Sequence, residues 1–297
     1  MNNFTPGQIR ILRETILAIP ETVLCEFAKE ELVENVPEMW QLFVNPTLNN
    51  KPILKDNESQ IIVTLMMLEL SVFVVLFDDS KGKDFFVFSP LMCSIANSIA
   101  AIEQLAISGF DFQAYTLMRT LVEQYIALIT LSLCPEKRKT YYRAMEKEDA
   151  RRFWHDSFTK TKFFKMLNGY KEDPDGLLSG HFEKVYRELS SFTHNSFWHN
   201  FSKTYVPNSE GTGVKPNLFG EYVSRAEQII SDMAYDIWPF HMLFVVMLND
   251  SKIDIGYDAI KESEVYTFFV RVLKHCNIIE RALFARIGRK QKEDGQS

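Results

Sequence analysis

The chain has 297 residues, of which 46% are hydrophobic and 24% charged, and its formal net charge is −6. That length and balance suit a folded soluble protein with a sizeable core and exclude a disordered chain. The acidic balance excludes a protein that coats long duplex nucleic acid, which needs a broad basic surface, but leaves room for a small basic cleft.

In chain order, the spacing of apolar residues is helical nearly everywhere, which predicts an all-α bundle. Residues from about Thr5 to Glu34 read as one or two helices broken by Pro20, and PTLNNKP (Pro46 to Pro52) as a loop. A long apolar helix is expected from about Glu58 to Phe77. Its core stretch, Ile61 to Phe77, is shorter than the roughly 20 residues of a spanning helix and carries Glu69 at its centre, so a buried core helix is expected rather than a membrane span. FFVFS (Phe85 to Ser89) reads as a strand or a lead-in. A helix then follows with Pro90 in its first turn and Gly109 past its end. Asp111 is placed as the cap of the next helix, which stops at Pro135. A third helix is expected over about Arg138 to Asn168, then a turn, then a helix from about Leu177 to Thr193. Ser202 to Gly220 reads as irregular. The last two helices are expected at Glu221 to Leu248, kinked at Pro239, and Tyr257 to Gly288. The organisation is therefore an N-terminal helical extension (1–56), a helical bundle core (57–290) and a polar tail (291–297).

Four cysteines (Cys25, Cys93, Cys134, Cys276) lie far apart without a CxxC pair, as expected of reduced, mostly buried thiols in a cytoplasmic protein. The opening MNNFTPGQIR has no basic-then-apolar leader. His155, His181, His241 and His275 show no metal-ligand spacing, and there is no HExxH, Gly-rich phosphate loop or hydrolase elbow. No metal and no cofactor are expected.

The most informative local pattern is VYRELSSFTHNS, in which Arg187 and His194 stand seven residues apart, two helical turns on one face, with Ser190 and Ser191 between them. Val185, Leu189 and Phe192 occupy the opposite face. A guanidinium can clamp a phosphate with two parallel donors and an imidazole can move a proton near neutral pH, so the pair suits attack on a phosphodiester; a solvated polar face is the plainer reading. Asn195 and His199 extend the polar cluster, His199 as a second proton carrier or a structural histidine. Arg119 and Glu123 form an i, i+4 pair on a helix that is apolar almost all round, with Tyr115 one turn earlier. They are expected to be buried together, either orienting Arg187 or His194 or tying core helices to one another. A net-positive segment that includes Lys137, Arg138, Arg151 and Arg152, with Trp154 among them, is either a solvated face or a track for a phosphate backbone with a base-stacking aromatic.

Arg187-x6-His194 on a helix of an all-helical protein resembles the Arg-x4–6-His signature of the HEPN superfamily. ISGFDFQAYTLMRTLVEQYIAL, followed by YRELSSFTHNS, also resembles an uncharacterised bacterial helical family that pairs an Arg-x3-Glu helix with a downstream "LS…H" helix. The likeness covers about Pro90 to Asn200. It implies a four-helix core with added N- and C-terminal helices, a homodimer, and metal-independent RNA cleavage that leaves a 2′,3′-cyclic phosphate. Arg187 would neutralise the scissile phosphate and His194 would act as general base or acid. Such proteins serve as toxins or phage-defence effectors held by an antitoxin or switched by an activator protein; some are non-catalytic modules that bind a nucleotide, RNA or a protein partner. Where the family often has a small polar residue after the arginine, this chain has Glu188, whose side chain leaves the stripe by about 100°.

Overall fold

A computed structural model describes residues 5–25, 28–34, 57–80, 82–144, 147–169, 176–193, 204–207, 210–216, 225–249, 253 and 263–294. The described chain is all-α apart from one small hairpin. Its elements are α1 (Pro6–Leu17), α2 (28–34), α3 (Glu58–Ser80), α4 (Phe85–Ile107), α5 (Asp111–Leu133), α6 (Pro135–Arg143), α7 (Lys147–Ser157), α8 (Lys160–Leu167), α9 (Leu177–Thr193), α10 (Ala226–Asp232), α11 (Trp238–Asn249) and α12 (Glu264–Asp294).

Local chemistry explains the starts of the first long elements. Thr5 and Gln8 form a capping box at α1, with Pro6 in its first turn. Asn57 Oδ1 accepts the backbone N–H groups of Ser59 and Gln60 and so starts α3. Every residue of α3 from Ile61 to Leu70 is buried, because α4, α12 and the α10–α11 segment surround it. α5 lies between α4, α11 and α9. The core is continuous from Ile11 in α1 to Ile287 in α12, and α1 is tied to the bundle by Gln8 on Gln60 and by Glu14 on Arg286. Three stretches, Glu58–Asp78, Phe85–Ile107 and Ala226–Leu248, are long and apolar enough to cross a membrane by length and composition. The fold buries 78% of the first window and 44% of the second, so α3 is covered and α4 keeps an open face.

The cysteines are not mostly buried: Cys276 is buried, Cys134 is half-buried, and Cys25 and Cys93 are exposed. Several elements also differ from expectation. α4 starts at Phe85, so FFVFS is helical and Pro90 lies inside, in the second turn. The missing N–H deprives one early carbonyl of its partner, and the exposure of Pro90 lets water replace it. Phe110 holds the cap position of α5 and Asp111 is its first residue. The single helix expected over 138–168 is three short ones, with breaks at Ala144 and at Phe158 and Thr159. The kink expected at Pro239 is preceded by a π turn over Met233–Ile237. Pro239 has no N–H to return to the turn before it, a circumstance in which the wider spacing is tolerated. The irregular loop contains an antiparallel hairpin, Tyr205–Pro207 with Val214–Pro216, turning through Gly211 at φ 68°. α12 runs to Asp294, which makes the first part of the polar tail helical; the Tyr257 start expected for it lies outside the described residues.

Candidate functional site

Each strip of α9 has its own task. Phe182, Val185 and Leu189 are buried, and the Phe182 ring stacks on Phe240 of α11 with centroids 3.7 Å apart. On one flank Tyr186, Ser190 and Phe192 meet α5. Arg119 Nε donates to Ser190 Oγ at 3.0 Å, and its guanidinium lies 3.7 Å above the Tyr186 ring. Its other partner is Glu123, at 2.8 Å. Phe192 stacks on Tyr115 at 4.6 Å, and Tyr115 Oη donates to Asp232 at 2.6 Å. Burial, then the Asp232 charge and hydrogen bond, push the Tyr115 hydroxyl far above its ordinary pKa, so it stays a donor.

The Arg119–Glu123 pair therefore acts as an anchor for α9 rather than as a contact to Arg187. It is also less buried than its helix suggests, because the Glu123 side chain is 36% exposed. Ser190 leaves the Arg187 stripe: it is turned about 60° around the helix toward Arg119. Its hydroxyl donates to the Tyr186 carbonyl. Ser191 is half-buried and donates to the Glu188 carbonyl. Arg187 projects from the exposed strip between the anchored flanks. His194, Asn195 and His199 lie outside the described residues.

The other flank of α9 faces the π turn and is acidic. His181 Nε2 stands 3.4 Å from the Asp236 carbonyl, and Lys184 is paired with Glu188. Burial, then the charges of Asp232 and Glu188, raise the Asp236 carboxyl to about 7. Asp232 and Asp236 carry no signal in the sequence, because an i, i+4 acidic pair becomes a neighbour of α9 only through the packing.

The basic segment divides in the same way. Arg151 and Arg152 are exposed, Lys137 is half-buried, and Trp154 leans edge-on against Phe158. Arg138 does not belong with them. It is buried, donates to the Leu131 and Ser132 carbonyls, pairs with Asp84 at 2.6 Å and lies over the Phe88 ring. A cation on the last carbonyls of α5 satisfies acceptors the helix leaves open, and it meets the negative end of the helix dipole. Arg138 is therefore withdrawn from the candidate RNA contacts.

Among the described residues, a buried polar cluster lies elsewhere. Glu69 of α3, His241 of α11 and Glu280 of α12 meet in the core, each at most 1% exposed, with one donor atom from each lying within 4.8 Å of the others. His241 Nε2 is 2.6 Å from Glu69 Oε2 although 172 residues separate them, and His241 Nδ1 is 3.1 Å from Tyr125 Oη of α5. Both Glu280 carboxylate oxygens are buried without a hydrogen bond of good geometry. The Trp238 indole is near enough to favour the charge, though not in bonding geometry, while the neighbouring Glu69 carboxyl favours the protonated form. Burial, then the Glu69 charge, raises the pKa of Glu280, while burial with the Glu280 and Glu69 charges does the same to Tyr125 and Cys276. Sequence spacing gave His241 no ligand partner. The one signal was Glu69, a carboxylate at the centre of an apolar helix.

Compared with known proteins, the chain matches no family model, no curated protein and no solved structure. Its site is read from its own geometry.

Proposed function

We propose that the protein is a homodimeric, metal-independent endoribonuclease of HEPN type that acts through Arg187 and His194. The observation that carries this reading is the exposure of Arg187 on a helix whose other strips are each fastened: to α11 through Phe182, to α5 through Ser190, Tyr186 and Phe192, and to the π turn through His181. A guanidinium presented from a fixed backbone can reach a phosphate with two parallel donors and offset charge that develops on it.

In this reaction the imidazole of His194 takes the proton of a ribose 2′-hydroxyl as that oxygen attacks phosphorus. The bond to the 5′-oxygen breaks, and the partner protomer's equivalent imidazole returns a proton to it. A 2′,3′-cyclic phosphate and a 5′-hydroxyl result, with Arg187 offsetting the negative charge that builds on the phosphoryl oxygens. General acid–base help contributes roughly 10²–10⁴-fold. Arg151 and Arg152, exposed on α7, are further cations that can meet a phosphate backbone. The proposal includes a cytoplasmic setting, a role as a toxin or antiviral effector, and control by an antitoxin or activator protein.

A second reading, a non-catalytic module that binds a nucleotide, RNA or protein partner, draws on Glu188, Asp232 and Asp236. These carboxylates crowd one flank of α9 and repel a polynucleotide backbone. The test is incubation of the purified protein with total RNA in EDTA, beside Arg187→Ala and His194→Ala, with folding checked by circular dichroism. Cleavage by the wild type alone supports the nuclease. Binding without cleavage supports the module: a steep loss of binding with salt points to RNA, and salt-insensitive binding to a nucleotide or protein partner, because contacts to a nucleic-acid backbone weaken steeply with salt.

A further inference from the structure

We propose that Glu69, His241 and Glu280 form a buried site for one divalent transition-metal ion, a centre separate from the Arg187 stripe that joins α3, α11 and α12. The donor atoms come from three helices and lie within 4.8 Å of one another. Ligands each about 2.0–2.2 Å from a common ion fall inside that spacing.

The histidine faces the cluster through a 2.6 Å hydrogen bond from Nε2 to Glu69 Oε2, which an ion would replace as the two atoms part to about 3.3 Å. Its Nε2 points at the carboxylate cluster, and its Nδ1 is 3.1 Å from Tyr125 Oη. With Nε2 on an ion, Nδ1–H donates to the tyrosine oxygen, the outer hydrogen bond that fixes the ring and tautomer of a metal-bound histidine. Glu280 supplies the independent observation. Its carboxylate is completely buried, and neither oxygen meets an N–H or O–H donor in bonding geometry; its close polar neighbours are the Glu69 carboxyl and the Trp238 indole. A polar group left so inside a core is costly, and ligation of an ion by those lone pairs removes the cost.

Charge and donor type define the ion. Two carboxylates and a neutral imidazole carry a charge of −2, which one dication balances within a region that solvates ions poorly. A mixed nitrogen and oxygen set suits Zn²⁺, Fe²⁺, Co²⁺ or Mn²⁺ better than Mg²⁺ or Ca²⁺, which prefer oxygen alone. Three protein donors are one short of a closed tetrahedral site, so a water or another small ligand completes the sphere. The competing explanation is a carboxyl pair that shares a proton, with His241 as its hydrogen-bond partner and no ion.

The experiment uses the full chain, stripped with a chelator and freed of it, then titrated with Co²⁺ and, separately, Zn²⁺. The expected result is one equivalent bound, visible Co²⁺ absorption of a low-coordinate site, and a thermal midpoint raised by roughly 5 °C or more at about a hundredfold excess over the dissociation constant. Glu280→Gln keeps the size of the side chain and should lose both binding and the midpoint shift; Arg187→Ala should keep both, whatever its effect on RNA. A folded wild type that binds no equivalent of either ion, with Glu280→Gln at least as stable, overturns the proposal and leaves the proton-sharing pair.

Discussion

The α9 stripe and the Glu69–His241–Glu280 cluster place polar chemistry in opposite settings. The stripe is local in sequence and open to solvent. Its flanks are anchored by Arg119, Tyr186 and Phe192 while Arg187 stays exposed. The cluster is assembled from three distant helices and excluded from water. Ionic groups on the surface are solvated whatever they do, so the stripe has to be judged by activity. In the core a charge without compensation is expensive, so the cluster has to be judged by stability and by what it binds.

Four sets of substitutions sharpen or break this contrast. The largest effect is expected at the stripe: Arg187→Ala and His194→Ala should each lower RNA cleavage by roughly 10²–10⁴-fold with little change in thermal midpoint. Equal loss of folding in these variants would move the stripe into the structural class. Next, His241→Ala should cost about 3–5 kcal/mol in urea denaturation, because it leaves Glu69 buried without its 2.6 Å partner.

Third, Glu103 of α4 is wholly buried, and that burial raises its carboxyl from the ordinary 4.5 to about 8. The folded state therefore holds a proton that the unfolded chain releases. The associated stability is fully present below about 4.5 and is lost as pH rises toward about 8, at up to about 1.4 kcal/mol per pH unit. Glu103→Gln should flatten the stability profile between pH 5 and 8 and make the protein more stable than wild type at pH 8. An unchanged slope would show that Glu103 is ionised in the fold.

Smallest, Arg138→Met should cost about 2–3 kcal/mol through two lost carbonyl bonds and the Asp84 pair, without altering the salt dependence of RNA binding. Arg151→Ala with Arg152→Ala should do the reverse: stability changes by less than about 0.5 kcal/mol while the salt slope falls. A salt slope that follows Arg138 would return it to the RNA surface.

Helix identity was legible where apolar periodicity was strong. α3, α5 and α9 have bounds close to those expected, and Val185 and Leu189 are buried as their spacing implies. Boundaries set by packing were not. Phe85 to Ser89 reads as a strand or a lead-in by composition and is the start of α4, with Val87 and Phe88 buried. Arg138 looked like one more surface cation, because nothing local shows that the end of α5 needs a donor. Ser190 looked like part of the catalytic stripe, because spacing cannot distinguish a flank that meets Arg119 from one that meets water. The metal-type cluster was illegible for a different reason: each ligand is isolated on its own helix, and only the arrangement of α3, α11 and α12 brings the three together.

End-group analysis of RNA treated with the wild type in the presence of EDTA, beside Arg187→Ala and His194→Ala at equal protein concentration, tests the central claim most directly. The account predicts fragments ending in 2′,3′-cyclic phosphate from the wild type and intact RNA from both variants. The same fragments from either variant would contradict it.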